Sequence, residues 1–582
     1  FSMLASLALL LSFPQESTEP WPVTGLPRED LVCEAILAEA EKDNQVMDHL
    51  RELVDGIGPR LTSSSNLSEA VSWAEDRFLD FGIPNVRRVQ WGEFPVGFDR
   101  RLMQGRVVEP IKMPLILATR AWSPGTDGSE RGPLLLGPSN DEELEASRGS
   151  FQNSWVLLTG TKSPRFDSDA DNFRARLGKF FDEEGIYGTV RIARNELVLT
   201  GGRYKIDWND LPTRTQVTIP KEQGRKLAQF LEAGEAVEVE FDLDYQFTEG
   251  PIPQWDVLAE IPGSDKADEL IIMGGHLDSW DGATGTNDNG TGVATTMEAA
   301  RLLAAAMRET GQQPRRTIRF MLWTGEEQGL LGSLAYIRQH PEEMERISAV
   351  LVHDGGTNYL SGLNATPLLL PLFEEILEPI DRMVSAYEGD EIRFRIKEVD
   401  TLPLGIGSDH DSYLRSGVPG FFWNQAGESN YTYVHHTQHD IYDNAVPRYE
   451  EHSAKVIAMS AWRLANMDQM LPREDILNRN RENNRSSRNR KMLGVFLSED
   501  DGLLIDRLVK DGLSEKAGLK PGDRFTEIAG QKLSSQGDLR RALREDEDIK
   551  QIAILRDGKT LKSTFNWKEK TATPLEEEMV AE

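Results

Sequence analysis

Hydrophobic positions recur along this chain at two different periods. Between Leu31 and Phe81, apolar residues fall three and four apart in AILAEAEKDNQVMDHLRELVDGIG and again in SEAVSWAEDRFLDFG. That spacing predicts amphipathic helices. Gly56-Ile57-Gly58-Pro59-Arg60-Leu61 breaks the pattern between them, and Gly82 ends the second. From about residue 101 to 248 the apolar runs become short and β-like: PLILAT, GPLLLG, SWVLLTG, GTVRIAR and AVEVEFDLDY. At the middle of this stretch, Trp155 to Thr159, the helical DNFRARLGKFFDEEG and then IYGTVRIA read as strand, helix and strand with a glycine stop. From Val257 the strand-like runs VLAEIPG, ELIIMGGH, TIRFMLWTG, SAVLVHDGG and VPGFFW occur with the helical GVATTMEAARLLAAAMR and EHSAKVIAMSAWRLANM. Alternation of this kind predicts an α/β fold with a mixed, largely parallel sheet between helices.

A chain of 582 residues is too long for one hydrophobic core. The shifts in pattern divide it. Residues 30–100 and 249–472 form one α/β block, interrupted by a β-rich insert over 101–248. Residues 478–491, NRNRENNRSSRNRK, carry six basic residues (Arg479, Arg481, Arg485, Arg488, Arg490, Lys491) against Glu482, a net of 6 − 1 = +5. A polar, self-repelling run of this composition is a linker. Residues 492–570 hold the β-runs LGVFLS, LLIDRLV, RFTEIAG, IKQIAILRDG and KSTFNWK and a short helix SQGDLRRALRE, and read as a separate small module. Residues 571–582 are an acidic tail expected to be mobile. At the other end, FSMLASLALLLSF is too short to span a bilayer and resembles the apolar region of a secretory signal. Residues 1–20 are accordingly expected to be a signal-peptide remnant of a protein exported to the extracellular space or periplasm.

Composition narrows the chemistry. Hydrophobic residues make up 39%, which suits a packed globular protein. A formal net charge of −31 repels phosphate backbones and gives no electrostatic basis for nucleic-acid binding. One cysteine, Cys33, excludes a disulfide within the chain and any cysteine-rich zinc site, and its helical neighbourhood makes it a core residue. A metal here must be held by His, Asp and Glu.

Those residues stand at strand ends. ELIIMGG ends in His276, with Asp278 two residues on; TIRFMLWTG ends in Glu326-Glu327; SAVLV ends in His353-Asp354; VPGFFW leads through a loop to His435-His436. Gly285-Thr286-Asn287-Asp288-Asn289-Gly290 lies just before a helix. Open α/β sheets bind ligands outside the carboxyl ends of their strands, so these groups converge. Two divalent ions close together need a bridging carboxylate and further nitrogen and oxygen ligands. Asp288, on its glycine-flanked loop, suits the bridge. Imidazole and carboxylate favour Zn²⁺ over Mn²⁺ or Co²⁺. The adjacent pair Glu326-Glu327 offers one carboxylate for a metal and one for general-base work, and His276-Leu277-Asp278 offers a ligand with an orienting carboxylate.

Gly275-His276-Leu277-Asp278-Ser279, Thr286-Asn287-Asp288-Asn289-Gly290-Thr291-Gly292 and Thr324-Gly325-Glu326-Glu327-Gln328-Gly329-Leu330-Leu331-Gly332-Ser333 together resemble the aminopeptidase-like di-zinc exopeptidase family. Ile57-Gly58-Pro59-Arg60-Leu61-Thr62, Gly407-Ser408-Asp409-His410 and His435-His436-Thr437-Gln438-His439-Asp440 extend the likeness over roughly residues 30–470. The resemblance implies one ion on His276, Asp288 and Asp354, a second on Asp288, Glu327 and His436, Glu326 as general base and Asp278 as the group orienting His276. The family's histidine directly before Thr/Ser selects His436 over His435, whereas His439 and Ile441 depart from its usual residues there. His353 and His410 match no ligand. The insert resembles, more loosely, a protease-associated domain. The last module resembles a PDZ domain, with Leu493-Gly494-Val495-Phe496 as its carboxylate-binding loop and Ala517-Gly518-Leu519-Lys520-Pro521-Gly522-Asp523 as a matching segment; its groove would take a protein C-terminus. The expected activity is hydrolysis of short peptides from one end, as a carboxypeptidase or as an aminopeptidase. The alternative from another class is a degenerate peptidase that only binds peptides.

Overall fold

The computed structural model describes residues 24–159, 168–387, 389, 391–477, 493–498, 502–509, 512–534, 538–539, 542–543 and 549–577. The apolar N-terminal run, the 478–491 linker and most of the expected helix SQGDLRRALRE lie outside the described residues. The chain divides into two compact units, residues 1–161 with 181–477 and residues 162–180 with 478–582.

In the larger unit the chain enters through α1 (Leu31–Lys42), whose first turn is closed by Asp30 accepting the Val32 and Cys33 N–H groups. Then come α2 (Val46–Arg51), a π turn ending at Gly58, and α3 (Ser65–Asp80), capped by the Ser64 hydroxyl. The long strand β1 (Asn85–Glu109) follows. The insert supplies β2 (Met113–Pro114), β3 (Ala118–Thr119), β4 (Ser129–Leu136), α4 (Asp141–Ala146), β5 (Trp155–Leu158), α5 (Ser168–Glu184), β6 (Gly188–Ile192), β7 (Thr215–Ile219) and α6 (Lys221–Glu232). The second long strand, β8 (Glu238–Ile261), leads into β9 (Lys266–His276), α7 (Thr291–Thr310), β10 (Arg316–Trp323), α8 (Leu331–Gln339) and β11 (Ile347–Val352). The remainder is β12 (Tyr359–Ala365), α9 (Leu370–Ile376), α10 (Glu378–Ser385), β13 (Arg395–Glu398), α11 (His410–Arg415), β14 (Gly420–Phe422), β15 (Asn424–Ala426), α12 (Tyr431–Val434) and α13 (Pro447–Asn466).

One sheet runs β14-β11-β9-β10-β8-β4-β5-β6-β7-β3. Strands β14, β11, β9 and β10 are parallel, and β8 is antiparallel to β10. Every residue of β10 is buried, as strands covered on both faces by helices require. Register levels the strand ends: Trp323 of β10 stands opposite His276, and Val352 of β11 opposite Gly274. Helices α1, α7 and α13 pack a common core in which Cys33 is buried, as its helical context suggests.

AVEVEFDLDY and VLAEIPG, read as separate runs, belong to the single strand β8, which pairs with β1 along nearly its whole length. Three bulges sit at Trp91, Arg101 and Val108, and a further irregularity falls between Phe94 and Val96. The ribbon carries the chain from the α/β block into the insert, where Trp155, Val190, Val217, Leu227 and Phe241 gather in a core of their own. Strands β5 and β6 are there and run parallel; of the helix between them, α5, residues up to 180 belong to the smaller unit.

The smaller unit contains β16 (Val495–Leu497), β17 (Ile505–Leu508), α14 (Leu513–Lys516), β18 (Arg524–Ile528), β19 (Gln531–Lys532), β20 (Ile549–Arg556) and β21 (Lys559–Asn566), around Ile505, Phe525, Ile552, Ile554 and Phe565. The loop before β16 is tied to α14: Leu493 O accepts from the Ser514 N–H and hydroxyl. Part of the tail expected to be mobile is ordered instead. Thr571–Ala572 and Glu576–Glu577 pair with β21, because Thr573 and Leu575 between them have backbone partners in Thr564 and Ala517.

Phe320, fully buried at the centre of β10, stacks on Phe78 of α3 at 6.5 Å between ring centroids. Phe320→Ala is expected to cost about 3–5 kcal/mol, measured as a shift in denaturant midpoint with an unchanged slope.

Candidate metal centre

His276 is the last residue of β9 and completely buried. Its Nδ1–H donates to the Asp278 backbone carbonyl at 2.9 Å, with the Asp278 carboxylate 3.6 Å away. That bond sets the tautomer and leaves Nε2 facing outward from the strand end. Nε2 stands 3.1 Å from Asp354 Oδ1, just past β11, and 3.3 Å from Asp288 Oδ1, on the loop before α7. The other oxygen of Asp288 is 3.0 Å from His436 Nε2, which is also 3.0 Å from Glu327 Oε2. His435 Nε2 lies farther off, 3.6 Å from Asp288 Oδ2, its ring stacked between Tyr431 and His436. Two clusters of donor atoms result, His276-Asp288-Asp354 and Asp288-His435-His436, each within 4.8 Å. Asp288 belongs to both.

Two other carboxylates hold the loops that carry these groups. Asp278 accepts the Glu326 and Glu327 N–H groups at 3.2 and 3.3 Å and the Thr62 hydroxyl at 2.9 Å. Asp440 accepts the N–H groups of Asn287 and Asp288. Arg60, wholly buried, donates to the carbonyls of Gly58, Leu277, Thr284 and Gly285 and so binds the π turn to the loop between β9 and Asp288. Motifs around Arg60, Thr62 and Asp440 are visible in the sequence, but their tasks are not, because each acts on groups far along the chain.

The histidines that match no ligand have other contacts. His353 is enclosed, with Nδ1 2.8 Å from the Thr295 hydroxyl and Nε2 2.9 Å from the Gln425 amide, and burial pulls its pKa down to about 4. His410 packs against Phe422 with Nε2 3.5 Å from Asp411, and burial lowers it likewise to about 4.

Charge decides what the site accepts. Burial, then the Asp288 carboxylate, raises Glu327 to about 8; burial raises Glu326 well above the carboxylate range, with Asp354, Glu327 and Asp409 adding to it and His276 opposing. Burial and then Asp288 raise Asp440 to about 7. Burial works against ionised Asp288 too, but His276 and His436 hold it well below its ordinary value. Burial lowers Arg60 to about 10, and its donors are engaged by carbonyls. Glu327 Oε1 is buried with no hydrogen-bond donor among the described residues. Nitrogen and oxygen donors in excess negative charge, sharing one carboxylate, fit two divalent cations with zinc-type ligands.

Residues 256–461 match the family described as Peptidase family M28. Over 452 residues the chain is 25% identical to carboxypeptidase Q of Xenopus laevis, covering 75% of this chain and 89% of that protein. A protein of Saccharomyces cerevisiae named as a probable aminopeptidase is 28% identical over 230 residues, 36% of this chain and 59% of that one. The crystal structure of a Peptidase M28 precursor from Shewanella amazonensis shares the fold, with TM-score 0.53 and 24% identity over 76% of this chain and 97% of that one.

Asp440→Ala removes the acceptor for two adjacent N–H groups of the Asp288 loop. Divalent-ion affinity is expected to fall about 10- to 100-fold, read by competition titration with a chromogenic chelator, while the denaturation midpoint of the ion-free protein moves much less.

Proposed function

We propose that this chain, a metallo-peptidase whose residues 256–461 match family M28, is an exopeptidase of short peptides with carboxypeptidase Q-like specificity. The observation that carries the reading is Asp288, one carboxylate facing two donor clusters with Glu326 beside them. The carboxypeptidase side of the choice is favoured by extent. The likeness to carboxypeptidase Q covers 75% of the chain, whereas that to the yeast protein covers 36%. A degenerate, binding-only protein is disfavoured because the donor set and Glu326 are all present.

In this reading His276, Asp288 and Asp354 hold one ion, and Asp288, Glu327 and His436 the other. The pair of cations supplies Lewis-acid polarisation of the scissile carbonyl and acidification of water. Asp278 fixes the Glu326-Glu327 turn through its two accepted N–H bonds, so that the two carboxylates serve different tasks. Glu326 takes the proton of the attacking water and returns it to the leaving amine. The bond from Nδ1–H to Asp278 O turns the His276 ring so that Nε2 faces Asp288 and Asp354. Export belongs to the proposal as well, on the apolar run Leu4–Phe13.

Dipeptides blocked at one end or the other test the specificity. Cleavage that needs a free C-terminus and tolerates a blocked N-terminus is expected; the reverse pattern makes the enzyme an aminopeptidase. Elemental analysis is expected to give about two ions per chain, chelation to abolish hydrolysis and Zn²⁺ to restore it. Glu326→Gln is expected to lower kcat about 100- to 10,000-fold with both ions retained, whereas Glu327→Gln loses an ion.

A further inference from the structure

The insert and the end of the strand that leads into it reach the metal loops at three places. Arg100 of β1 pairs with Asp281, Nε to Oδ2 at 3.0 Å and Nη2 to Oδ1 at 3.2 Å, both side chains nearly excluded from solvent. Trp122 stands edge-on to Trp280, whose ring is in turn edge-on to His436, each pair at 6.3 Å. At the third place Thr200 packs against Gly282 so closely that a Cβ there would lie 1.8 Å from the Thr200 methyl.

From this third contact the chain pairs with the loop that carries His436. The Thr200 N–H donates to His436 O at 2.9 Å, and Leu199 forms an antiparallel bridge with Thr437. The Val198 N–H donates to Gln438 Oε1 at 3.0 Å, and Gln438 Nε2–H donates to Glu196 O at 3.1 Å. Behind this extended segment, the start of α6 is tied to it by Lys221 N–H to Asn195 O at 3.0 Å and Glu222 N–H to the Glu196 carboxylate at 3.1 Å. His436 has φ +56°, uncommon for a residue with a side chain. A residue keeps such a conformation only where its surroundings fix it. The partner of its carbonyl is Thr200.

We propose that residues 196–200 of the insert are a positioning strand for the metal loop: by pairing with residues 436–438 they hold His436 in its left-handed conformation and set the affinity of the ion site formed with Asp288 and Glu327. The inference rests on the ligand assignment under Proposed function. Gly282 and Thr200 are positioning residues: Thr200 lines the small cavity that Asp288, Glu327 and His436 also line, and its part here is the N–H it gives to His436 O. Of the other site's donors, His276 ends β9 and Asp354 follows β11; only Asp288, common to both sites, lies on a loop that the insert touches, so that site should change less.

The test is Co²⁺ titration of the full chain, with absorption spectra reporting each site and Glu327→Gln marking the step that belongs to the His436 side. Gly282→Ala should push the insert strand off the loop. The Glu327-dependent step should weaken at least tenfold and the other by less than threefold, and Thr200→Gly in the same chain should restore most of the loss by making room for the new methyl. Wild-type affinity at both steps, or equal weakening of both, overturns the inference. Should Gly282→Ala not fold, the half-buried Gln438→Ala asks the same question: selective weakening of the Glu327-dependent step supports the strand's role, and an unchanged step overturns it. A wild-type protein with no Glu327-dependent step overturns both this inference and the ligand assignment.

Discussion

Buried negative charge is the constraint around which this molecule is arranged. Asp278, Asp288, Glu326, Glu327, Asp354, Asp409 and Asp440 gather at the carboxyl ends of the central strands with the imidazoles of His276, His435 and His436 and the buried Arg60. Removing so many carboxylates from water is costly unless cations and hydrogen bonds compensate them. The fold meets this with backbone donors. Asp440 takes the N–H groups of Asn287 and Asp288, and Asp278 takes those of Glu326 and Glu327. Each of these acids accepts two consecutive amides and thereby fixes a loop bearing another acid. Divalent cations are then the natural complement of the charge that remains.

The level strand ends make this arrangement possible. His276 and Trp323 are paired in register, so the segments after β9 and β10 leave the sheet side by side. Because β10 is buried on both faces, its position is set by packing, and the Glu pair beyond it inherits that precision. Arg60 plays the corresponding part for the segment after β9. Its planar group reaches four carbonyls at once, a task for which lysine has the wrong geometry.

Much of this was legible in the residues. The α/β alternation and the strand-end acids and histidines follow from short-range pattern, and the groups so identified do converge. What pattern could not give is partnership across distance. Nothing in IGPRLT says that Arg60 would cap carbonyls more than 200 residues on, or that Thr62 would meet Asp278. Two β-runs either side of residue 250 looked like two strands, because Gly250-Pro251 ordinarily ends one; the ribbon absorbs it with an irregular pairing opposite Pro95. The order of the tail at Thr571–Glu577 rests on pairing with β21, which an acidic composition gives no hint of.

That ribbon also limits how the protein can have changed over time. β1 and β8 are the two sides of one hairpin stem, and the insert is its head. A residue gained or lost on one side alone would turn every side chain beyond it to the opposite face, carrying Arg100 away from Asp281 and Tyr245. Length changes in the stem are therefore tolerated only in matched pairs, or singly where a bulge takes up the odd residue. The bulge at Trp91 has itself become useful, since it lets the indole N–H reach the Thr324 hydroxyl at 2.7 Å beside the glutamate turn. Lineages of this fold should accordingly differ freely in the head and in the loops that close it, while stem lengths shift in steps of two or at inherited kinks.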